Sequence, residues 1–311
     1  MSELDLICAD FNGALALLRR LGARLDVIFP AEAPHSAVLT QDGTTIRLRA
    51  AADVEEPAKV LPAFQPEFVV SRAGDAAEGR AGMRYRDLIP SRLGGRYIAS
   101  HIAVADGPVA DWVHYHHIAF QLICVRRGWV RVAYEDQGVP FVMTAGDMVL
   151  QPPGIRHRVL ESGDGLEVIE IGCPALHETF AEHEMALPNG QGAPERRWEG
   201  QRFLHHRAAA GAWRPWHGGE AQETDLAAAT RGVAEARIVR AGPPARIDIP
   251  GHRGELAFGF VVEGRAGLEH QGRHRLSSGD AFVIPPETGW TLRDASPDFR
   301  LLHVTTGHIA G

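Results

Sequence analysis

The chain has 311 residues, 45% apolar and 23% charged, which is typical of a globular protein long enough for two domains. Its 39 acidic residues outnumber its 32 basic residues, and the formal net charge of −7 excludes a general attraction to nucleic acid or anionic lipid. The 34 glycines and 20 prolines indicate many turns and short strands.

Several classes of protein are excluded by what the sequence lacks. Three widely spaced cysteines, Cys8, Cys124 and Cys173, suit a reducing compartment better than a disulfide framework. The sequence MSELDLICAD is acidic where a secretory signal is basic, and no apolar run has the length of a membrane span, so we expect a cytoplasmic protein. No GxxxxGK[ST] and no GxSxG occur, which excludes a P-loop nucleotide site and a hydrolase nucleophile elbow.

The first 60 residues predict a small α+β segment. Apolar residues at helical spacing predict a helix from its N-cap Asp10 to Gly22. Three short strands follow, at 24–29, 36–40 and 44–50. This order resembles half of a glyoxalase, or vicinal-oxygen-chelate, module. That family pairs its modules around several metal ligands, whereas this segment has one module and one histidine, His35, so we expect a structural or dimerising appendage.

The rest of the chain alternates between connections and regions rich in strands. A connection rich in Ala, Pro, Gly and charged residues covers 61–95, and strand patterns then dominate 96–173. Turn sequences such as EDQG, PPG and SGDG recur at intervals of roughly 8–12 residues, which indicates an antiparallel sandwich or barrel. A second connection covers 174–234, where ALHETFAEHEM (175–185) favours a short helix, and the strand pattern returns over 235–311.

The two strand-rich regions are copies of one β-domain. Gly128 in VRRGWVRV matches Gly264 in VEGRAGLE. GDMVLQPPGIRH at 146–157 matches GDAFVIPPETGW at 279–290 without a gap. We therefore expect two barrels of the same design.

The first copy carries two motifs that contain histidines. Their fixed positions are His114, His116, Gln121, Gly128, Gly146, Pro152, Gly154 and His157. The spacing resembles the two motifs of the cupin family, G(x)5HxH(x)3–4E(x)6G and G(x)5PxG(x)2H(x)3N, with Glu161 at the usual Asn position. The resemblance covers 96–173 and, more weakly, 236–307. It implies an all-β fold, a bicupin of two jelly-roll barrels after the α+β segment.

Strand geometry predicts that three of these histidines meet. Residues i and i+2 of a strand share a face, so His114 and His116 point into the barrel while His117 points outward. The PPG turn returns the next hairpin and places His157 across from the pair. Three imidazoles buried without a cation would leave several ring nitrogens unsatisfied. We therefore predict a divalent first-row metal at His114, His116 and His157.

Gln121 stands where the cupin family usually has glutamate. Its amide is neutral, so the site would keep the full charge of its metal and suit an anionic, bidentate substrate. Gln121 is either a fourth metal ligand or a catalytic hydrogen-bond donor to bound substrate, and the sequence leaves both open. Arg156 and Arg158 flank His157 and are expected to face away from it.

The second copy has lost the predicted ligands. The positions that match the first histidine pair are Pro250 and His252, Ala257 replaces Gln121, and Trp290 replaces His157. We expect this barrel to be structural, with the indole filling its cavity. A metal-bearing cupin followed by a silent one resembles the gentisate and 1-hydroxy-2-naphthoate ring-cleaving dioxygenases, and this resemblance implies Fe(II).

These observations predict a metal-dependent bicupin oxygenase. An Fe(II) dioxygenase would bind a small anionic aromatic or enolisable substrate, such as a diketone or hydroxy acid, together with O2, and cleave a carbon–carbon bond. One alternative is a cupin isomerase, lyase or decarboxylase that uses Zn, Mn or Ni as a Lewis acid. A further alternative is a cupin that only binds or senses a small molecule. We also expect a homodimer formed through sheet edges, with no nucleic-acid or membrane partner.

Overall fold

The computed structural model describes residues 2–52, 56–74, 76–79, 82–243 and 245–309. The N-terminal segment contains β1 (Ser2–Cys8), α1 (Phe11–Arg20), β2 (Arg24–Phe29), β3 (Ser36–Gln41) and β4 (Thr44–Ala50). The next segment contains β5 (Val69–Ser71), β6 (Ala77–Glu78), β7 (Arg84–Asp87) and α2 (Arg92–Gly95). The first barrel contains β8 (Ile98–Ala103), β9 (Gly107–Pro108), β10 (His114–Tyr115), β11 (Phe120–Tyr134), β12 (Phe141–Thr144), β13 (Met148–Leu150) and β14 (His157–Cys173).

The second half of the chain repeats this arrangement. Between the barrels lie β15 (Thr179–Ala181), β16 (Arg197–Trp198), β17 (Gln201–Arg202), β18 (Leu204–His206), β19 (Trp213–Trp216), β20 (Gly219–Glu223) and α3 (Leu226–Ala229). The second barrel contains β21 (Ala234–Arg240), β22 (Ile247–Ile249), β23 (Ala257–Glu263), β24 (Arg265–Glu269), β25 (Arg273–Ser277), β26 (Ala281–Val283), β27 (Trp290–Arg293) and β28 (Arg300–Thr306). The predicted all-β fold with two barrels after an α+β segment is confirmed.

The N-terminal segment extends the sheet of the first barrel. The carboxylate of Asp10 accepts a hydrogen bond from the backbone N–H of Gly13 at 2.9 Å, which caps α1 as predicted. The sequence did not predict β1, an edge strand that pairs in parallel with β4. At the other side β2 pairs with β15, and β15 pairs with β10. The expected helix over 175–185 is therefore wrong. Phe180 pairs with Val27 of β2 on one side and with Tyr115 of β10 on the other, and this pairing overrides local helix propensity.

Two long strands, β11 and β14, form the longest paired ladder of the first barrel. They pair antiparallel from Phe120–Cys173 to Tyr134–His157, with register shifts between Val125 and Trp129 that bend the ladder. Gly128 lies in this bend with φ +72°, and a Cβ there would meet the carbonyl oxygen of Gly163 at 2.5 Å. Only glycine fits so close an approach of two backbones.

Each barrel receives a strand from the segment that precedes the other barrel. β18 pairs with β13 of the first barrel, and β5 pairs with β26 of the second. Two matching aspartates hold the added strands. Asp147 accepts a hydrogen bond from the backbone N–H of Ala208, and Asp280 accepts one from that of Ala73, both at 2.8 Å. The boundaries at 60, 95, 173 and 234 stay predictions, and parts of both connections belong to the sheets of the barrels.

One apolar cluster contains residues of both barrels, whereas the interior of each barrel has its own cluster. Phe120 and Ile171 of the first barrel and Phe258 and Val304 of the second belong to one fully buried cluster. No described helix has both the length and the apolar character needed to cross a bilayer.

Candidate metal centre

The three predicted histidines meet at one end of the first barrel. His114 lies on β10 directly opposite His157, the first residue of β14, and His116 follows β10. All three side chains are buried. Each offers a ring nitrogen, and these three nitrogens lie within 4.8 Å of one another. The strand pairing and the tight turn after Pro152 thus produce the convergence that the motif spacing predicted.

Backbone carbonyl groups fix the orientation of each imidazole. The Nδ1 atoms of His114, His116 and His157 lie 2.8, 3.1 and 3.0 Å from the carbonyl oxygens of Trp112, Glu178 and Ile155, respectively. A carbonyl oxygen can only accept, so Nδ1 carries the proton and Nε2 carries the lone pair that can bind a metal. This is the tautomer that a metal-binding histidine needs, because the Nδ1 hydrogen bond holds the ring in place.

Gln121 and Glu170 form a polar pair beside the histidines. Gln121 is buried on β11, and its amide nitrogen donates a hydrogen bond to Oε1 of Glu170 on β14. Its buried amide oxygen has no hydrogen-bond partner among the described residues. A buried amide oxygen without a partner is costly, and a bound cation would satisfy it. The three imidazoles and Gln121 therefore fit a divalent metal.

Glu170 corrects the expectation of a site without a carboxylate. The carboxylate comes from β14, where Glu170 pairs with Ile123, two residues after Gln121. Glu170 was not predicted as a site residue, although its sequence carries a signal. Leu166, Val168 and Glu170 are every second residue of the strand and so share one face. A single acidic residue in such an apolar row indicates a polar position inside the barrel.

Tyr134 completes the polar end of the pocket. Its ring stacks on His157, with centroids 5.7 Å apart and planes 21° apart. Its hydroxyl oxygen accepts a hydrogen bond from the amide nitrogen of Gln151 at 2.7 Å. Burial raises the pKa of Tyr134 well above its ordinary value, so the phenol stays protonated. Because Gln151 is the donor in this bond, the phenol hydrogen can be given to a bound substrate.

Of the residues that flank the histidines, some have side chains outside the barrel and one has its side chain in the barrel cavity. His117 is exposed and packs against Phe180, with ring centroids 5.0 Å apart. Arg156 donates a hydrogen bond to Glu182 at 3.0 Å, and its guanidinium lies over the ring of Tyr115, outside the pocket, as expected. Arg158 does not follow the expectation that it faces away. It lines the cavity, and its Nε has no hydrogen-bond partner among the described residues.

A cavity of about 100 Å³ opens from the three histidines into the first barrel. Its polar lining consists of His114, His116, His157, Gln121, Glu170, Tyr134, Gln151 and Arg158. Its other lining residues are Met83, Tyr85, Ile102, Val104, Ile123, Val130, Val132, Met143, Val159, Leu166 and Val168. The arrangement can hold a cation and a chelating ligand at one end while most of the remaining wall is apolar.

The interior of the second barrel is built differently. In the part of the chain that the structure describes, the group of His114, His116 and His157 is the only metal-binding cluster of three or more such residues. His252 lies 3.0 Å from the carbonyl oxygen of Ile284. Trp290 is buried, with its ring 5.1 Å from Phe282 and 5.6 Å from His303. Burial lowers the pKa of His303 to about 3, so this imidazole stays neutral.

Comparison with known proteins identifies the fold only. No family model matches the chain, and no curated protein matches it. The solved oxalate decarboxylase of Lactobacillus farciminis, in a formate complex, is 14% identical over 81% of this chain and 88% of its own, with a TM-score of 0.56. Oxalate decarboxylase from Bacillus subtilis at pH 4.6 is 12% identical over 82% and 79%, with a TM-score of 0.58. These neighbours are bicupins. The specific resemblances to gentisate-type dioxygenases and to half a glyoxalase module are not confirmed.

Proposed function

We propose that the chain is a metal-dependent decarboxylase of a small 3-oxo acid, a substrate whose carboxylate lies one carbon away from a carbonyl group. The observation that carries this proposal is the pair of Gln121 and Glu170 beside three oriented imidazoles. The pair places a group that can carry a proton next to a site for a Lewis acid. The fold neighbours agree with the proposal, because they are named as decarboxylases.

The donor atoms of this chain suit several divalent ions. Three Nε2 atoms and the amide oxygen of Gln121 would hold the metal, and imidazole ligands accept Fe(II), Mn(II), Zn(II) and Ni(II). When bound, the metal supplies a Lewis acid that polarises the carbonyl oxygen of the substrate.

Protein groups would do the rest of the chemistry. The bond between the carboxylate carbon and its neighbour breaks, its electron pair moves to the carbonyl oxygen as an enolate, and CO2 leaves. A protonated Glu170 side chain would return a proton to the carbon that lost CO2, and the carboxylate left behind would regain its proton from solvent. Tyr134 donates a hydrogen bond to a substrate oxygen and so orients the acid. The apolar wall excludes water and favours neutral CO2 over a carboxylate.

The size of the cavity favours this function over ring cleavage. An engineered apolar cavity of about 150 Å³ holds one benzene molecule. The cavity here is about 100 Å³ and must hold the head of the substrate as well. The predicted Fe(II) dioxygenase acting on an aromatic ring is therefore less well supported than the alternative of a non-redox enzyme.

Metal analysis combined with gas measurements tests the proposal. Protein purified without a tag is analysed for metals, then supplied with 3-oxo acids with and without oxygen. We expect about one divalent ion per chain and CO2 release that continues without oxygen. Turnover that consumes O2 would instead establish the dioxygenase. A protein without metal and without turnover would favour a binding or sensor protein.

A further inference from the structure

We propose that the substrate of this site is a short aliphatic 3-oxo acid whose alkyl group fills an apolar chamber deeper in the first barrel. The chemistry of decarboxylation rests on the proposed function, whereas the binding preference rests on the shape and polarity of the chamber alone. The inference separates this site from one built for oxalate, which has no apolar part.

The polarity of the cavity changes in steps along β14. Glu170 lies near the histidines. Val168 and Leu166, two and four residues before it in the sequence, lie on the same face and farther from the histidines. Ile102 pairs with Val168, and Val104 donates its backbone N–H to the carbonyl of Leu166. At about 3.3 Å per residue, this wall is apolar for roughly 13 Å beyond the carboxylate.

The facing wall on β11 shows the same gradient. Tyr134 lies opposite His157 at the polar end, and Val132 and Val130 follow on the same face. Met143 pairs with Val130 and closes the far end. Both strands therefore place their polar residues at the metal end and their apolar residues at the opposite end. We define the apolar chamber as the space lined by Leu166, Val168, Val130, Val132, Met143, Ile102 and Val104.

Within the described part of the chain, the far end of the chamber offers no partner to a second charged group. Among the described residues, Arg158 is the only arginine or lysine that lines the cavity, and it is the neighbour of His157 in sequence. A carboxylate buried among Leu166, Val130 and Met143 would lose its hydration without compensation. An alkyl group there gains hydrophobic free energy instead. The chamber therefore selects a monocarboxylate with an apolar tail over a dicarboxylate.

The volume limits the length of that tail. The whole cavity of about 100 Å³ is smaller than the engineered apolar cavity of about 150 Å³ that holds one benzene molecule. The chelating head uses part of this space. A short straight tail takes up less of the remaining space than a phenyl ring, so we expect the short tail to bind better.

The binding test uses alkyl hydroxamic acids, which chelate a metal and do not decarboxylate. Protein loaded with its metal is titrated calorimetrically with the series from acetohydroxamate to octanohydroxamate, and with oxalate. We expect Kd to fall roughly fourfold for each added methylene while the tail remains inside the chamber, and to rise once the tail is too long. A Kd that is independent of tail length, or oxalate binding more tightly than every hydroxamate, would overturn the inference.

A pair of matched variants locates the effect. Leu166→Ala enlarges the chamber and should move the best tail length up by one or two carbons. Phe299→Leu removes volume at the matching position of the second barrel and should leave the best length unchanged. If Leu166→Ala does not fold, Val132→Ile adds a methyl group to the chamber and should shorten the best tail by about one carbon. Equal effects of the variants in both barrels would contradict the inference.

Turnover separates this inference from the proposed function. Binding that depends on tail length without CO2 release from 3-oxohexanoate would retain the inference and remove the decarboxylase. CO2 release from oxalate alone would retain a decarboxylase and remove the inference. We expect 3-oxohexanoate to be turned over with a higher kcat/KM than benzoylacetate by at least tenfold.

Discussion

The two barrels of this chain share a framework and differ in what fills them. Gly128 and Gly264 occupy the same kind of tight bend with φ of +72° and +74°, and Asp147 and Asp280 each hold an exchanged strand, β18 and β5 respectively. The interiors diverge at the positions of the metal centre, apart from that of His116, where the second barrel keeps a histidine, His252. Matching the two bends places Trp290 where the first barrel has His157. It also places His303 on β28, opposite Gly259, where the first barrel has Glu170 on β14.

This difference shows which residues specify the fold and which specify the chemistry. The bend glycines and turn aspartates act on the backbone, so both barrels need them regardless of their contents. Interior side chains must only fill the space and satisfy their polar atoms. In one barrel they surround a cavity with a polar end, and in the other an indole packs against Phe282 and a neutral histidine.

The largest expected effect comes from removing a histidine in one barrel or the other. His116→Ala removes a ligand, so metal affinity should fall by more than the roughly 10–100-fold typical of losing an outer partner. Bound metal should then drop from about one ion per chain to less than about a tenth of an ion. His252→Ala changes the matching residue of the second barrel and should leave the metal content unchanged. Metal analysis by mass spectrometry measures both. Equal loss in the two variants would mean that the barrels do not differ as described.

The second prediction concerns the polar position on the last long strand of each barrel. Glu170→Gln keeps a hydrogen-bonding side chain but removes the proton carrier, so kcat should fall about 10²–10⁴-fold while metal content is retained. His303→Gln at the matching position should leave kcat within a factor of two. Steady-state CO2 release provides the measurement. An unchanged kcat in Glu170→Gln would remove the carboxylate from the chemistry.

The third prediction tests whether the indole fills the second barrel. Trp290→Ala should lower the free energy of unfolding by about 3–5 kcal/mol, as expected for a large buried side chain deleted from a core. Metal content and Kd values in the first barrel should not change. Urea denaturation followed by circular dichroism gives the free energy. A cost below about 1 kcal/mol would show that the indole does not fill this core.

The fourth prediction tests the exchanged strands. Asp147→Asn and Asp280→Asn each weaken charge-assisted hydrogen bonds to two backbone N–H groups, at distances of 2.8 to 3.0 Å. Each substitution should cost about 2 kcal/mol of unfolding free energy. Similar costs are expected because the two contacts match. A large cost in one barrel and none in the other would show that the exchange is important on one side only.

The smallest effect is a pH dependence that belongs to the second barrel. The pKa of His303 is lowered from 6.5 to about 3 in the folded protein. As the pH falls below 6.5, His303 therefore binds a proton in the unfolded chain but not in the folded chain, and the free energy of unfolding decreases. This group alone should remove about 1 kcal/mol of stability between pH 6.5 and pH 5.5. His303→Gln should lack this component. Urea denaturation at both pH values measures it, and an identical pH dependence in the variant would contradict a neutral buried His303.

The sequence predicted the parts of the site that depend on local spacing. The pair His114 and His116 with His157 could be recognised because strand alternation and a tight turn determine where these residues point. The helix cap at Asp10 was predicted for the same reason, since its partner Gly13 is three residues away. The bend at Gly128 and its copy at Gly264 could also be matched from the sequence, because both lie in similar local segments, VRRGWVRV and VEGRAGLE.

Features that depend on distant pairing could not be predicted in this way. Glu170 reaches the pocket only because β14 pairs with β11 in one particular register, which sets it opposite Ile123. Strand β15 forms because β2 and β10 lie on its two sides, although its own sequence favours a helix. The exchange of β5 and β18 between barrels depends on contacts between segments more than 50 residues apart, which no local pattern encodes.

The central claim is that one cation binds between three imidazoles of the first barrel and none binds in the second. Anomalous X-ray diffraction from crystals of the protein, recorded at the absorption edge of the metal found by elemental analysis, tests it most directly. We expect one anomalous peak per chain, within bonding distance of His114, His116 and His157. A peak beside Trp290 and His252, or no peak among the three histidines, would contradict it.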